Sequence, residues 1–239
     1  MPSIVSFVKT LENFFFRFRV ATLAVLSGPS FAADVAHELK NPLTPIRFAV
    51  SSLRRTASAE QRETVEVLEA ESARLEAMAK SFAQFGRLPE GPTATVDLAE
   101  LARETVRTTM PVEMQVRIDG DEGVLVTGQH DALQRALSNV LLNAVDATQG
   151  RGAVVVRARV QQGEAMVAVH DDGVGIPTEQ LARIWDPYVT AKTGGTGLGL
   201  AIVKQTVLAH GGRVEASSEP GNGTEIRLYF PAVRTRNGN

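Results

Sequence analysis

Cysteine is absent from this 239-residue chain, which removes disulfides and thiolate metal sites and fits a reducing compartment such as the cytoplasm. A basic surplus is absent as well. Lys and Arg number 25 against 27 Asp and Glu, for a net charge of -2, so the chain lacks the electrostatic footprint of a nucleic-acid binder. Also missing is the unbroken apolar run, roughly 18 residues or more, that a membrane-spanning helix needs. The N-terminal apolar stretch, Ile4 to Leu26, is interrupted by Lys9, Glu12, Arg17 and Arg19, and its uncharged part, Val20 to Leu26, is too short to cross. A signal peptide would carry its charges ahead of the apolar run, not inside it. Residues 4–26 therefore read first as a surface or dimer-packing helix. An interfacial membrane helix and the remnant of a longer signalling helix are the other readings.

The length leaves room for one or two domains with a proper core. Ser27-Gly28-Pro29-Ser30 groups helix breakers with an N-cap candidate and sets the first boundary. A helical pattern runs from Phe31 to about Arg55 and a second from Ser58 to Phe85, with Gly86 and Pro89 placed to end it. Ser58 and Gln61 form a capping box, and Glu60 and Glu63 suit the positive end of the helix dipole. Two long helices joined by so short a turn must run antiparallel. In the second, Val65, Leu68, Ser72, Leu75, Ala79 and Phe82 alternate three and four apart, the spacing of a coiled-coil seam. A hairpin cannot cover both of its own apolar stripes. A second copy completing a four-helix bundle is the expected solution, and docking of the hairpin on the C-terminal domain is the alternative.

Beyond a Pro- and Gly-bearing linker at 88–93, strands and helices interleave. Val154, Val156, Ala158 and Val160 alternate with mostly polar neighbours, as do Val167 and Val169, Val214 and Ala216, and Ile226, Leu228 and Phe230; these are half-buried strands. Helical patterns cover roughly Asp97 to Thr109, Asp131 to Thr148 and Gly199 to His210. Strands with one apolar face, covered by helices, make a two-layer α/β sandwich. The fold class expected is thus α+β, a helical hairpin followed by a sandwich. The domain limits expected are an N-terminal segment at 1–29, a hairpin domain at 30–87, the linker, a sandwich at 94–234 and a tail at 235–239.

The first helix carries the string His37-Glu38-Leu39-Lys40-Asn41-Pro42-Leu43-Thr44-Pro45-Ile46-Arg47. Its apolar face collects Phe31, Val35, Leu39, Ile46, Val50 and Leu53 within about 100° of arc, and His37 lies roughly 180° from their centre. His37 is therefore on the solvent side, with Asn41 one turn along. Pro42 disturbs the turn at Glu38 at a cost of about 3 kcal/mol, which makes sense if this turn must bend in use. A neutral imidazole is a good nucleophile near pH 7 when a carboxylate keeps its other nitrogen protonated, and Glu38 is placed to do so. A plain exposed histidine beside a harmless kink is the other reading of this helix.

Four more segments follow. Asn139 and Asn143 sit one helical turn apart, and their amide oxygens suit Mg²⁺, which takes few protein ligands; exposed helix amides are the alternative. Asp171-Asp172-Gly173-Val174-Gly175 follows a strand, with glycines that admit a ligand closely and a carboxylate able to accept from an exocyclic amine. Alone, this string is a common Asp-Gly turn. Ile184-Trp185-Asp186-Pro187-Tyr188 is an aromatic cluster. Gly194-Gly195-Thr196-Gly197-Leu198-Gly199 opens a helix, where free N–H groups and the dipole form a phosphate cradle. Lys192 is read either as a phosphate contact or as a solvated lysine.

The string at 37–47 resembles the phospho-acceptor box of sensor histidine kinases, in particular those akin to the nitrogen-regulation sensors, and the later segments arrive in that family's order over roughly residues 31–232. The resemblance implies a dimeric four-helix bundle followed by an ATP-binding sandwich of Bergerat (GHKL) type. It implies an ATP- and Mg²⁺-dependent autokinase that phosphorylates His37 and relays the phosphoryl group to an aspartate of a response-regulator receiver domain. By it Glu38 is the acid/base neighbour of His37 and Asn41 positions water for a phosphatase activity. By it, too, Asp171 is the adenine ligand with Gly173 and Gly175, Asn143 the Mg²⁺ ligand beside Asn139, and Lys192, Gly195, Thr196, Gly197, Leu198 and Gly199 form a short lid and cradle. Trp185 stands where the family often has phenylalanine, and Asp146 where many members carry a basic residue. The ATPases of the superfamily use a glutamate four residues before the Mg²⁺ asparagine. Here that place is Asn139, which cannot act as a base. The serine kinases lack the acceptor helix. An inactive scaffold or an ATPase is the alternative function, but the glycine and asparagine boxes are intact.

Overall fold

The computed structural model describes residues 43–85, 89, 91–192 and 195–233. His37, Glu38, Asn41, Gly194, the stretch 4–26 and the 235–239 tail lie outside them. The chain divides into two compact units, Met1–Arg87 with Pro187–Leu198 and Leu88–Asp186 with Gly199–Asn239.

In the first unit, helix α1 covers 43–56 and helix α2 covers Arg62–Phe85, preceded by a 3-10 turn at Ala59–Gln61. Gln61 Oε1 accepts from the Ser58 backbone N–H at 3.1 Å, the N-terminal stop that the sequence spacing anticipates. Arg47 meets Glu76 at 2.5 Å and Arg54 meets Glu69 at 3.4 Å. The pairs run in opposite order along the two helices, so the hairpin is antiparallel. The expected seam is divided. Val65, Ser72 and Ala79, seven apart, are buried, together with Leu43 and Val50 of α1. Leu68 and Leu75 are 42% and 44% exposed, and on α1 Ile46 and Leu53 are similarly open. One face of each helix closes the hairpin and the adjoining face stays bare, because two helices bury only one seam between them. Among the described residues no helix is long and apolar enough to cross a membrane.

The second unit is the sandwich. Its elements are β1 (Ala94–Asp97), α3 (Leu98–Thr109), β2 (Gln115–Gly120), β3 (Leu125–Gly128), α4 (His130–Ala147), β4 (Ala153–Gln161), β5 (Glu164–Asp171), a short α5 (Thr178–Leu181), α6 (Gly199–Ala209), β6 (Arg213–Ser218) and β7 (Thr224–Pro231). The main sheet has the order β2-β4-β5-β7-β6, with β2 and β4 parallel and the other pairs antiparallel. A parallel neighbour needs a crossover, and α4 lies in the connection from β2 to β4. Strands β1 and β3 form a separate antiparallel pair.

Helix α4 packs between α3 and α6 on one face of the sheet. Val154, Val156 and Ala158 of β4, Val167 and Val169 of β5, and Ile226, Leu228 and Phe230 of β7 face a single core with Leu133, Leu137, Val140 and Leu141 of α4. Asp97 ends β1 and caps α3 in one step, its Oδ1 accepting from Ala99 N–H at 2.8 Å and Glu100 N–H at 3.3 Å. An ionised cap on N–H groups that have no helical partner is worth about 1 kcal/mol.

Candidate functional site

Strand β5 is the centre of the sheet, and its last residue is Asp171. Pleating turns Asp171 to the same side as Val167 and Val169, the side of the helices. The residue is 5% exposed, and among the described residues no lysine or arginine acts on its carboxyl. Burial pushes the carboxyl above its usual range, opposed by the backbone N–H groups of Gly173 and Thr224 and by the adjacent His170. The Gly173 N–H bond to Oδ1 measures 3.0 Å. A buried carboxylate held only by backbone N–H groups and an adjacent imidazole is costly. It stays favourable only where something in use donates hydrogen bonds to it.

The turn after Asp171 is built for close approach. A Cβ at Gly173 would stand 2.7 Å from the carbonyl carbon and oxygen of Ala147, at the end of α4. Gly175 has φ +71°, which side chains rarely adopt, and a Cβ there would overlap the Glu219 carbonyl oxygen. Val174 N–H donates to Ala147 O at 3.3 Å. The end of α4 and the Asp171 turn are therefore in direct contact. Asn139 and Asn143, both half-buried, lie one turn apart on α4, and Asn143 is one turn before Ala147. Sequence reasoning passed over Asp172 and Ser218. Asp172 Oδ1 accepts from Ala153 N–H at 2.9 Å and ties the turn to the start of β4. Ser218 Oγ accepts from Ile176 N–H at 2.8 Å. The signal for Ser218 was available, since it continues the inward column of Val214 and Ala216.

Trp185 is half-buried and packs against the core of the second unit. The segment 187–198, in the first unit, is closed at its base. Tyr188 N–H donates to Gly197 O at 2.8 Å. Tyr188 holds φ +67°, a left-handed conformation rare for an aromatic residue, and burial pushes its hydroxyl up to about 12. Gly197 at φ +66° leaves no room for a side chain, as a Cβ would be 2.5 Å from Tyr188 C. Lys192 is exposed, Leu198 is buried, and Gly195, Thr196 and Gly199 are half-buried. The N–H of Leu198 is held by Thr196 Oγ1 at 3.3 Å and that of Gly195 by Lys192 O at 3.2 Å, so two donors of the expected cradle are engaged by their own loop.

A five-stranded mixed sheet with three helices on one face and a glycine turn after a buried aspartate defines the class of GHKL ATP-binding folds. Residues 128–234 match the family model described as histidine kinase-, DNA gyrase B-, and HSP90-like ATPase, and residues 30–91 match the His Kinase A (phospho-acceptor) domain. Together the two matches give the chain the core of a sensor histidine kinase. It is 31% identical over 218 residues to the nitrogen regulation protein NtrY of Azorhizobium caulinodans, covering 84% of this chain and 28% of that protein. It is 31% identical to the signal transduction histidine-protein kinase AtoS of Escherichia coli, covering 89% and 35%. Full-length ShkA in complex with AMPPNP superposes with a TM-score of 0.71 at 27% identity, over 87% of this chain and 47% of that one. The chain thus spans well under half the length of these curated relatives.

Proposed function

We propose that this core binds ATP on the sandwich, transfers its γ-phosphoryl group to His37, and passes that group to an aspartate of a response-regulator receiver domain in the cytoplasm. The observation that carries the reading is the buried Asp171 carboxylate on its glycine turn. It is an acceptor held in a dry place with two backbone N–H groups already on it, suited to the exocyclic amine of adenine. We take the phosphotransfer domain as 30–87, the linker as 88–93 and the catalytic domain as 94–234.

In this reading one nitrogen of His37 attacks the γ-phosphorus, a P–N bond forms, the bond to the β–γ bridging oxygen breaks, and ADP leaves. Glu38 holds the proton on the other ring nitrogen so that the attacking one keeps its lone pair. Among the described residues no group of three or more His, Asp or Glu could hold a metal ion. A divalent ion here depends on phosphate oxygens, with the Asn143 amide oxygen as its protein ligand and Asn139 one turn away, which fits Mg²⁺. Mg²⁺ supplies charge neutralisation on the phosphates when bound. Thr196, Gly197 and Gly199 offer backbone donors to phosphate, Gly195 and Leu198 shape the same loop, and Lys192 offers an ammonium. Incubation with γ-labelled ATP should give label on the protein that acid releases and alkali spares. Acid-stable label, or none, would refute a phosphohistidine.

Two further outcomes follow from the first unit. The bare Leu68 and Leu75 face is read as the homodimer seam. Leu75→Asp should weaken dimerisation at least tenfold, since about 2 kcal/mol of apolar burial is replaced by a charge. Sedimentation equilibrium checks this, and an unchanged dimer would discard the seam. Asn41 is read as the residue that orients water toward a phosphorylated receiver. Asn41→Ala should keep most autophosphorylation and lose roughly tenfold or more in receiver dephosphorylation with ADP present. Equal dephosphorylation rates would reduce Asn41 to a surface residue.

A further inference from the structure

We infer that Ser218 is a positioning residue for the adenine-binding turn: its hydroxyl fastens the Ile176 end of the 171–176 segment to the β6–β7 hairpin, holds Thr224 opposite Asp171 at the other end, and so sets the aim of Asp171. The inference rests on the reading of Asp171 as the adenine ligand. Ser218 is the last residue of β6, and its Oγ has three neighbours. Ile176 N–H lies at 2.8 Å, Gly223 O at 2.7 Å and Thr224 Oγ1 at 2.9 Å. A hydroxyl has one proton and two lone pairs. The amide can only donate and the carbonyl can only accept, so Ser218 accepts from Ile176 and donates to Gly223. Thr224 is then the donor to the remaining lone pair, and the capacity of the hydroxyl is filled.

The partners sit at the two ends of the turn. Ile176 closes it, and Thr224 is the cross-strand partner of both Asp171 on β5 and Ser218 on β6. Backbone contacts run alongside: Gly221 N–H donates to Val174 O at 2.9 Å, and Gly175 packs on the Glu219 carbonyl. The hairpin turn at 219–223 is the wall against which the Asp171 turn leans. Ser218 joins the two through a side chain, which makes the join open to substitution. Without the hydroxyl, Ile176 N–H and Gly223 O each lose a partner in a half-buried place, and the Thr224 hydroxyl beside Asp171 is released to reorient.

The test is equilibrium binding of Mg-ATP and Mg-GTP to the full chain at a temperature where circular dichroism shows every variant folded. Ser218→Ala should weaken ATP binding about tenfold and leave GTP binding little changed, because the misaimed group reads the adenine amine. The ATP-over-GTP preference therefore shrinks by the same factor. Ser218→Thr, which keeps the hydroxyl on a strand-favouring residue, should restore it. Equal weakening of both nucleotides without rescue by threonine would mean a structural role alone and overturn the inference. Asp171→Asn run in parallel separates the two readings. If it loses ATP and Ser218→Ala does not, Ser218 is not a positioning residue while the adenine site stands. If Asp171→Asn binds ATP normally, the adenine reading itself fails.

Discussion

Autophosphorylation of the His37→Gln chain is expected at background, roughly a thousandfold or more below the native protein, with its Kd for Mg-ATP within about twofold of the native value. Glutamine is polar and of similar reach, but its amide nitrogen has delocalised the lone pair that attack on phosphorus requires. The nucleotide, in this reading, is held by Asp171, α4 and the glycine cradle of the other domain, and nothing in that set changes. Labelled-ATP incorporation and calorimetry on the same preparation check both halves. Label persisting on the variant would remove His37 as the acceptor. Lost ATP affinity would mean that the two domains are coupled in a way the proposal does not contain.

Asp171→Asn should weaken ATP binding by roughly ten- to a hundredfold, the loss of a hydrogen bond to a charged acceptor being about 1.5–3 kcal/mol. The same substitution should leave the nucleotide-free fold at least as stable as before. Asparagine keeps an oxygen for the Gly173 N–H, now 3.0 Å from Oδ1, and the removal of a buried charge offsets a weakened bond to the Thr224 N–H. The sign follows from the direction of the shift. Burial raises the Asp171 carboxyl from its usual 3.8, so the charged form is the disfavoured one in the fold. The stability this group contributes is complete below 3.8 and is lost as pH rises through the raised value. At pH 7 the native chain bears that cost and the asparagine variant does not. Urea midpoints should therefore be equal or higher for Asp171→Asn at pH 7, with the gap closing toward pH 4. A midpoint well below the native one at pH 7 would show that Asp171 is a structural carboxylate.

Much of the sandwich was legible because its signals are local. Helices α3, α4 and α6 stand close to the ranges their periodicity predicts, and β4, β6 and β7 carry the alternation that marks one buried face. The central strand β5, expected to be half-buried, is instead buried on both faces from Ala165 to Val169. Strands β1 and β3, with four residues each, and β2 were not anticipated. Four residues are too few to establish a period, and in Gln115–Gly120 only Val116 and Ile118 alternate, between polar neighbours at a sheet edge. The glycine turn after Asp171 was readable as a string. That the aspartate would be buried with only backbone donors was not, because burial depends on what α4 and the β6–β7 hairpin bring alongside.

The heptad-like row on α2 shows the same division. Spacing alone places Val65, Leu68, Ser72, Leu75 and Ala79 on one broad face, since spacing is a property of a single helix. Which of them close the hairpin and which stay open is settled by the angle at which α1 lies against α2, and so Val65, Ser72 and Ala79 are buried while Leu68 and Leu75 are not. The chain by itself determined its helices, its alternating strands, its glycine turns and the order of its family boxes, all of which are written in residues a few positions apart. Tertiary structure alone decided that β5 lies between β4 and β7, that Gly173 rests on Ala147 across 26 positions of sequence, and that Ser218 bonds to Ile176 across 42. Those contacts arise when a sheet orders its strands by packing rather than by sequence, and no local pattern encodes a partner that far away.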